Sequence, residues 1–189
     1  MTSLASRGAV TAMIAMMAAG AAGPQGNGWT NPVDVVHNDE RCVTYRARLE
    51  GEHLVVQATH EAGWHTYAMD NKRRAEEKLA GKRSLGIDQP TEIALSGGLE
   101  LAGPWYQSPP KDLSKPDLNW FSWGFEGQAL FVAKVRRSRA APAQIAIRGQ
   151  ACTDVNCKNI DLTIPLSPPR LAKAVVGSAI DFKSLVPVR

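Results

Sequence analysis

Residues 41–59 read RCVTYRARLEGEHLVVQAT, and their alternation of apolar and polar side chains decides the fold. From Val43 to Leu49 every second residue is apolar, which is the period of a strand with one buried face. Glu50-Gly51-Glu52 is typical of a turn, and residues 53–59 predict a second strand that returns beside the first. This hairpin indicates a sheet that packs one face on a core.

Further stretches predict strands of the same short kind. They cover residues 64–68, 91–95, 99–102, 129–135, 144–148 and 160–166, and Gly and Pro residues occupy several of the gaps between them. Helices do not alternate with these strands, so a parallel sheet with crossover helices is disfavoured. We predict an all-β fold, an immunoglobulin-like antiparallel β-sandwich.

Two stretches interrupt the strand pattern. Residues 71–82 (NKRRAEEKLAGK) are highly charged and predict one or two helical turns in a solvated insertion, because they carry no wide apolar stripe. Trp105–Gly127, here called the aromatic segment, contains Pro109, Pro110 and Pro116, which oppose regular structure. Six of the chain's twelve Trp, Tyr and Phe residues also lie in it. Aromatic residues disfavour disorder, so we predict a long cap loop that packs onto the domain.

The first residues have the layout of a secretory signal peptide. Arg7 precedes an apolar run of roughly 14 residues, which is shorter than the ~20 needed to span a membrane, and small residues follow it. We expect a signal peptide over 1–23, with a retained amino-terminal anchor as the alternative. A β-sandwich domain over 24–169 and a carboxy-terminal tail over 170–189, starting with a short helix, complete the predicted organisation. The mature chain is then periplasmic, has no membrane span, and lies where disulfides persist.

The length and net charge of the chain disfavour some classes of function. The 189 residues suit one domain, and the net charge of +4 comes from basic residues that are mostly interleaved with acidic ones. This pattern disfavours a nucleic-acid-binding surface. Phosphate-binding loops and hydrolase motifs do not occur in the sequence, so we expect neither a cofactor nor a metal.

The cysteines are the strongest chemical signal. Cys152 and Cys157 lie between two predicted strands, which predicts a disulfide at a strand-to-strand connection in an oxidising compartment. A ring of six residues stabilises a fold by only about 2 kcal/mol, which favours a reactive pair, although a structural disulfide stays an alternative. Lys158 favours a thiolate at the adjacent Cys157, whereas an inward-pointing Asp154 would oppose it.

Two other uses of the thiols remain open. The cysteine pair with His60 and His65 could hold zinc or copper, but nothing in the sequence places these histidines beside the pair. Their odd separation would also put them on opposite faces of a strand. Cys42 lies opposite the Val43 face of its strand and is expected to be a spare, partly buried thiol, or a site of intermolecular pairing.

Several motifs, taken in order, resemble one family. They are residues 61–68 (EAGWHTYA), the aromatic segment, residues 125–131 (FEGQALF) and residues 149–157 (GQACTDVNC). Over residues 40–168 the chain is similar to the amino-terminal periplasmic domain of DsbD, a transmembrane thiol–disulfide interchange reductase. The resemblance implies an immunoglobulin-like sandwich with a redox-active cysteine pair on a hairpin.

The resemblance also implies roles for individual residues. Cys157 would form mixed disulfides with partners, Cys152 would resolve them, and an aromatic residue of the cap loop, Phe121 or Trp123, would shield the pair. Electrons would arrive from a thioredoxin-like protein and pass to periplasmic disulfide isomerases and cytochrome c maturation proteins. The implied activity is that of a thiol–disulfide oxidoreductase that works without a cofactor.

The sequence departs from the family in two places. Lys158-Asn159-Ile160 follow the pair where family members often have an aromatic residue or Leu and then two prolines. The family's membrane and thioredoxin-like domains have no counterpart in these residues, so we expect electrons to come from a separate protein such as a membrane reductase. The alternative function is a non-catalytic sandwich that binds a partner through the aromatic segment and has a structural disulfide.

Overall fold

Two antiparallel sheets make up most of the domain in the computed structural model, which describes residues 28–84, 86–137, 142–166 and 180–189. A single α-helix, α1, covers Asn71–Leu79 in these ranges. The strands are β1 Val33–His37, β2 Glu40–Glu50, β3 His53–His60, β4 His65–Tyr67, β5 Glu92–Ser96, β6 Leu99–Gln107, β7 Lys111–Asp112, β8 Trp123–Phe125, β9 Gln128–Arg137, β10 Ala143–Cys152, β11 Cys157–Leu166 and β12 Val186–Pro187.

The strand order places the core between the sheets. The first sheet runs β1-β2-β3-β9-β6-β12, and the second runs β11-β10-β4-β8-β7, with β5 also paired to β10. Large side chains from both sheets are fully buried between them, among them Tyr45, Leu54, Phe131, Ile145, Ile147 and Ile164. The predicted all-β, immunoglobulin-like sandwich is confirmed.

The predicted hairpin forms as β2 and β3. Their register pairs Leu49 with Leu54 and Val43 with His60, and Gly51 supplies the left-handed conformation (φ 59°) that the tight turn requires. The alternating apolar residues Val43, Tyr45 and Ala47 are all fully buried. The side-chain pattern of 41–59 therefore predicted both the turn and the buried face.

Cys42 departs from the alternation because of a β-bulge. Val35 pairs with Val43, but the next residue of β1, Val36, pairs with Arg41, so Cys42 is an extra residue in β2. The bulge lets Cys42 and Val43 both enter the main core, and both are fully buried. The expectation of a partly buried thiol opposite the Val43 face is wrong for this reason. Burial raises the pKa of the Cys42 thiol, which keeps it protonated.

The charged stretch after β4 forms a helix with a buried side. Helix α1 buries Asn71, Ala75 and Leu79, which are spaced four residues apart and so share one face. The Asn71 amide donates to Asp88 O (2.9 Å) and accepts from Trp123 N (2.7 Å). The predicted helical turns are confirmed. The stretch is not a fully solvated insertion, however, because the three buried side chains pack the helix against the domain.

The aromatic segment is more regular than its prolines indicated. Its arms pair as β7 and β8, with Lys111 opposite Gly124, and an isolated bridge joins Lys115 to Trp120. Phe125 and Ser122 are almost completely buried, so the prediction that this segment packs onto the domain is confirmed. The prolines lie before β7 and at the start of a short 3-10 turn, Pro116–Leu118, where they cost no ladder hydrogen bond.

The two ends of the chain differ in what can be described. The predicted signal peptide and the predicted helix at the start of the tail lie outside the described residues. The last residues pack on the domain, where Val186 pairs with Gln107 and Leu185 is buried against Val55 and Val132. Within the described ranges, none of the helices has the length and apolarity needed to cross a membrane.

A buried carboxylate joins α1, β6 and the last residue. Asp70 accepts hydrogen bonds from Arg74 Nε and from Gln107 Nε2, both at 2.8 Å, and from Arg189 N at 3.4 Å. Although burial alone would raise the pKa of Asp70, the hydrogen bonds from Arg74 and Gln107 hold it below its usual value. The ionised carboxylate is therefore the form that stabilises the fold.

We expect Asp70→Asn to lower the free energy of unfolding by about 2 kcal/mol at pH 7, because hydrogen bonds to a buried charge are lost. Since the folded-state pKa of Asp70 is depressed, the advantage of the wild type is present at neutral pH and is lost as the pH falls through that pKa. Urea denaturation between pH 2 and 7 measures this, with the exposed Asp117→Asn as control. A constant difference across this range would contradict the assignment.

Candidate functional site

The cysteine pair closes the β10–β11 hairpin. Cys152 is the last residue of β10, Cys157 is the first residue of β11, and the two are register partners with Cα atoms 4.1 Å apart. A disulfide joins their sulfurs at 2.09 Å, which confirms the predicted bond at a strand-to-strand connection. The turn between them is closed by Thr153 N donating to Asn156 O at 2.8 Å.

The two halves of the disulfide differ in exposure. Cys152 is 1% exposed, whereas Cys157 is exposed at the edge of the hairpin, next to a turn in which Val155 is 84% exposed. A thiolate arriving from solvent can therefore reach the Cys157 sulfur more readily than the Cys152 sulfur. Attack at Cys157 makes Cys152 the leaving group, which is the order of events that a partner-facing and a resolving cysteine require.

Strand β4 places a histidine on the other side of Cys152. The register pairs Cys152 with His65 and Ala151 with Thr66. Directly opposite side chains in an antiparallel pair share a face, with Cβ atoms ~4.5–5.5 Å apart. The amino-acid sequence alone does not place a histidine beside the pair; the β10–β4 pairing does so for His65.

His60 forms hydrogen bonds with both of its ring nitrogens. Its Nδ1 hydrogen-bonds to Gly127 O and its Nε2 to Thr66 Oγ1, both at 2.8 Å, and burial lowers its pKa. Both ring nitrogens are thus engaged inside the sandwich, which leaves neither for a metal ion. In the part of the chain that the structure describes, His, Cys, Asp and Glu side chains do not assemble into a group of three or more that could bind a metal. The alternative of a zinc or copper centre therefore has no support there.

Asp88 connects the aromatic segment to β4. Its Oδ2 accepts from Trp120 Nε1 at 2.7 Å and from the hydroxyl of Ser122. Burial raises the pKa of Tyr67, and the charge of Asp88 and a hydrogen bond to it raise that pKa further. The Tyr67 hydroxyl therefore stays protonated. The hydrogen bonds from the half-buried Trp120 and the buried Ser122 thus hold the aromatic segment at a carboxylate whose charge acts on Tyr67 of β4.

The predicted modulating residues lie on different sides of the hairpin. Asp154 has a side chain that is 94% exposed, and its Oδ1 lies 4.0 Å from Nζ of Lys115 in the aromatic segment. This ion pair brings the segment up to the cysteine turn, and at such exposure it adds little stability. Lys158 is exposed and pairs with Ala151, and its charge acts on the buried Cys42.

The two predicted shielding residues occupy neighbouring positions with different surroundings. Trp123 is half-buried in β8, where it packs against the main core, and β4 separates β8 from β10. Phe121 is half-buried between Trp120 and Ser122, the two residues bound to Asp88. Their shielding role stays a prediction.

Tyr67 and Asp88 were not predicted as parts of this site, and His65 was named only as a possible metal ligand. The alternation of residues 64–68 does place His65 and Tyr67 on one face of a strand, which was the available signal. Which strands would lie beside it could not be read locally, because β4 and β10 are far apart in the chain. Asp88 lies outside any periodic stretch and gave no signal.

Fold and site together define a β-sandwich domain with a half-exposed disulfide at one hairpin end. The chain is similar to the N-terminal periplasmic domain of ScsB from Proteus mirabilis, with a TM-score of 0.53, 14% identity, and 74% of this chain and 51% of that one covered. It is also similar to the N-terminal domain of DsbD from Neisseria meningitidis in the reduced form, with a TM-score of 0.47, 11% identity, and 67% and 86% covered.

The first of these likenesses establishes the fold. This chain spans about half the length of the ScsB chain that it matches. None of the protein-family models or curated proteins matches the sequence. The immunoglobulin-like sandwich implied by the resemblance to the DsbD amino-terminal domain is thus confirmed as a fold.

Proposed function

We propose that this protein is a periplasmic thiol–disulfide exchange domain that relays reducing equivalents through Cys152 and Cys157. The observation that carries the proposal is the asymmetry of the disulfide, which joins an exposed residue, Cys157, to a buried one, Cys152. Such an arrangement lets partners reach Cys157, while Cys152 stays buried until it is needed to break the mixed disulfide. It gives Cys157 the role of exchanging thiol and Cys152 the role of resolving thiol.

The exchange requires two displacements. A partner thiolate attacks Sγ of Cys157, the bond to Cys152 breaks, and Cys152 leaves with the electron pair and takes up a proton. A second thiolate of the partner then attacks the partner's own sulfur in the mixed disulfide and releases Cys157. The partner dithiol is oxidised to a disulfide, and the pair here is reduced to a dithiol. The same steps in reverse pass two electrons to an acceptor.

A purely structural disulfide is the less favoured function. Strands β10 and β11 already pair along their whole length, from Ala143 opposite Leu166 to Cys152 opposite Cys157. A disulfide at the end of such a ladder closes a ring of six residues and adds only about 2 kcal/mol. The disulfide thus adds little stability to a hairpin that is already fully paired, although one of its two residues, Cys157, is exposed to solvent.

The proposed partners are thioredoxin-like periplasmic proteins, as electron donor and as acceptors, with a separate membrane reductase as the source of electrons. The family resemblance supports this, and the ScsB domain of similar fold is described as periplasmic. The exposed hairpin turn also supports it, because a partner sulfur can approach Cys157 past Val155 without displacing a core residue. Cytochrome c maturation proteins are among the acceptors that the resemblance implies.

We expect a reduced Cys152→Ser variant to trap a stable mixed disulfide with a thioredoxin-like protein whose resolving cysteine is replaced and whose remaining cysteine carries a glutathione disulfide. Cys157 attacks that disulfide, the glutathione thiolate leaves, and nothing resolves the product. Non-reducing electrophoresis with mass spectrometry of the linked peptides measures this. Cys42→Ser, which removes only the buried third thiol, is the matched control and should not trap. Trapping by Cys157→Ser but not by Cys152→Ser would reverse the two roles.

We also propose that Phe121 or Trp123 shields the pair from small reductants. Phe121 lies between two residues that Asp88 holds, and the same segment reaches the cysteine turn through Lys115 and Asp154. A ring carried on this anchored stretch can limit access to the hairpin end. The shield would open when a partner docks.

Removal of the shield should speed reduction by a small thiol. We expect Phe121→Ala to raise the rate of disulfide reduction by dithiothreitol about threefold, since one ring covers only part of the approach to Cys157, which is already an exposed residue. Acid quenching and alkylation at timed intervals give the rate. Phe182→Ala, which removes a ring that packs on Tyr106 and His53 of the other sheet, is the control. Unchanged rates in both Phe121→Ala and Trp123→Leu would show that neither residue is the shield.

A further inference from the structure

We propose that His65 is the group that exchanges a proton with the Cys152 sulfur during thiol–disulfide exchange, and that Tyr67 and Asp88 orient its ring for this task. The inference rests on the proposed function and adds a catalytic residue to it. It originates in the strand register, which sets Cys152 between Cys157 on one side and His65 on the other.

The register puts the imidazole on the same face as the sulfur. Ala151 and Thr66, the neighbouring register pair, are fully buried and point into the core. Side chains alternate along both strands, so Cys152 and His65 project together from the opposite face. Their Cβ atoms are then ~4.5–5.5 Å apart, close enough for a ring nitrogen to reach the sulfur.

Burial of Cys152 creates the need for such a group. The side chain is 1% exposed, and a thiolate formed there is poorly solvated. When Cys152 leaves from the disulfide it must gain a proton or a hydrogen bond, and when it attacks a mixed disulfide it must first lose its proton. Water has little access to the sulfur, so a neighbouring side chain has to accept and return the proton.

The hydrogen bonds of the ring select the useful tautomer. The Tyr67 hydroxyl lies 3.2 Å from Nε2 of His65, and the nearby charge of Asp88 raises the pKa of that hydroxyl beyond the effect of burial. The negative charge of Asp88 attracts the Tyr67 proton, so we assign Nε2–H of His65 as the donor and the Tyr67 oxygen as the acceptor. This assignment leaves the lone pair of Nδ1 to take the Cys152 proton, which is how an oriented base activates a nucleophile.

The surroundings keep the imidazole neutral at pH 7. Burial lowers the pKa of His65, and Lys115 in the aromatic segment acts in the same direction. Three carboxylates oppose them: Asp88 before β5, Glu126 in the turn after β8, and Asp154 in the cysteine turn. The net shift is downward, so the ring is ready to accept a proton rather than already charged.

Glutathione provides a chemically defined version of the reaction. In the reduced protein, Cys157 attacks oxidised glutathione, forms a Cys157–glutathione disulfide and releases one glutathione thiolate. Cys152 then gives its proton to Nδ1 of His65 and attacks Sγ of Cys157, which forms the Cys152–Cys157 disulfide and expels the second glutathione thiolate. The protein dithiol is oxidised, the glutathione disulfide is reduced, and the imidazolium returns its proton to solvent.

The test measures how fast the glutathionylated intermediate resolves. Reduced full-length protein is mixed with oxidised glutathione, quenched with acid at intervals and analysed by mass spectrometry between pH 5.5 and 9. We expect His65→Gln to slow resolution about tenfold at pH 7, which is less than the roughly hundredfold of strong general-base sites. The wild-type rate should be nearly flat above neutral pH, whereas the variant rate should rise steeply with pH and approach the wild type near pH 9.

Further variants separate this role from a structural one. Tyr67→Phe keeps the ring but removes the hydroxyl that orients His65, and it should slow resolution severalfold. His65→Asn should reproduce the His65→Gln pH profile. His53→Gln, at the far end of β3, should match the wild type.

The outcomes distinguish two kinds of failure. If the wild type resolves its intermediate and His65→Gln does so with the same rate and pH profile, the role of His65 is overturned while the exchange function stands. If the wild type never forms the Cys157–glutathione disulfide, the proposed function fails and the inference fails with it. A slow, steeply pH-dependent His65→Gln variant beside a normal His53→Gln variant supports the assignment.

Discussion

Strand β10 is paired along both edges, and the chemistry at its end depends on this double pairing. On one side the ladder to β11 sets Cys152 opposite Cys157, and on the other side the short pairing to β4 sets Cys152 opposite His65. A slip of one residue in either ladder would turn the opposing side chain to the other face of the sheet. The register therefore determines which groups can react with each other.

The same register explains why the two sulfurs differ. Cys152 lies inside the sheet, between two neighbouring strands, whereas Cys157 begins β11 at the outer edge of the strand order. Asp88 accepts hydrogen bonds from Trp120 and Ser122 of the aromatic segment, and its charge acts on Tyr67 and His65 of β4. A movement of the aromatic segment that displaced Asp88 would therefore change the electrostatic surroundings of both β4 side chains.

Local patterns predicted most of the strands and the disulfide, but not the short strands β1, β7, β8 and β12. Alternation from Val43 to Leu49 predicted a buried face, and the position of Cys152 and Cys157 between two strands predicted their bond. The errors arose where non-local contacts decide: the bulge opposite β1 turned Cys42 into the core, and contacts to Asp88 and Trp123 docked α1 through Asn71. The position of His65 beside Cys152 could not be predicted for the same reason, since only sheet assembly brings β4 beside β10.

The reduction potential of the Cys152–Cys157 disulfide is the most direct measure of the proposed function. It is obtained by equilibrating the full chain with glutathione or dithiothreitol buffers and counting free thiols by mass spectrometry. Structural disulfides of exported proteins typically lie below about −300 mV, whereas exchanging pairs lie higher. We expect a value above about −300 mV, together with rapid equilibration with a thioredoxin-like protein. A value far below about −300 mV with no exchange would identify a structural disulfide and contradict the account.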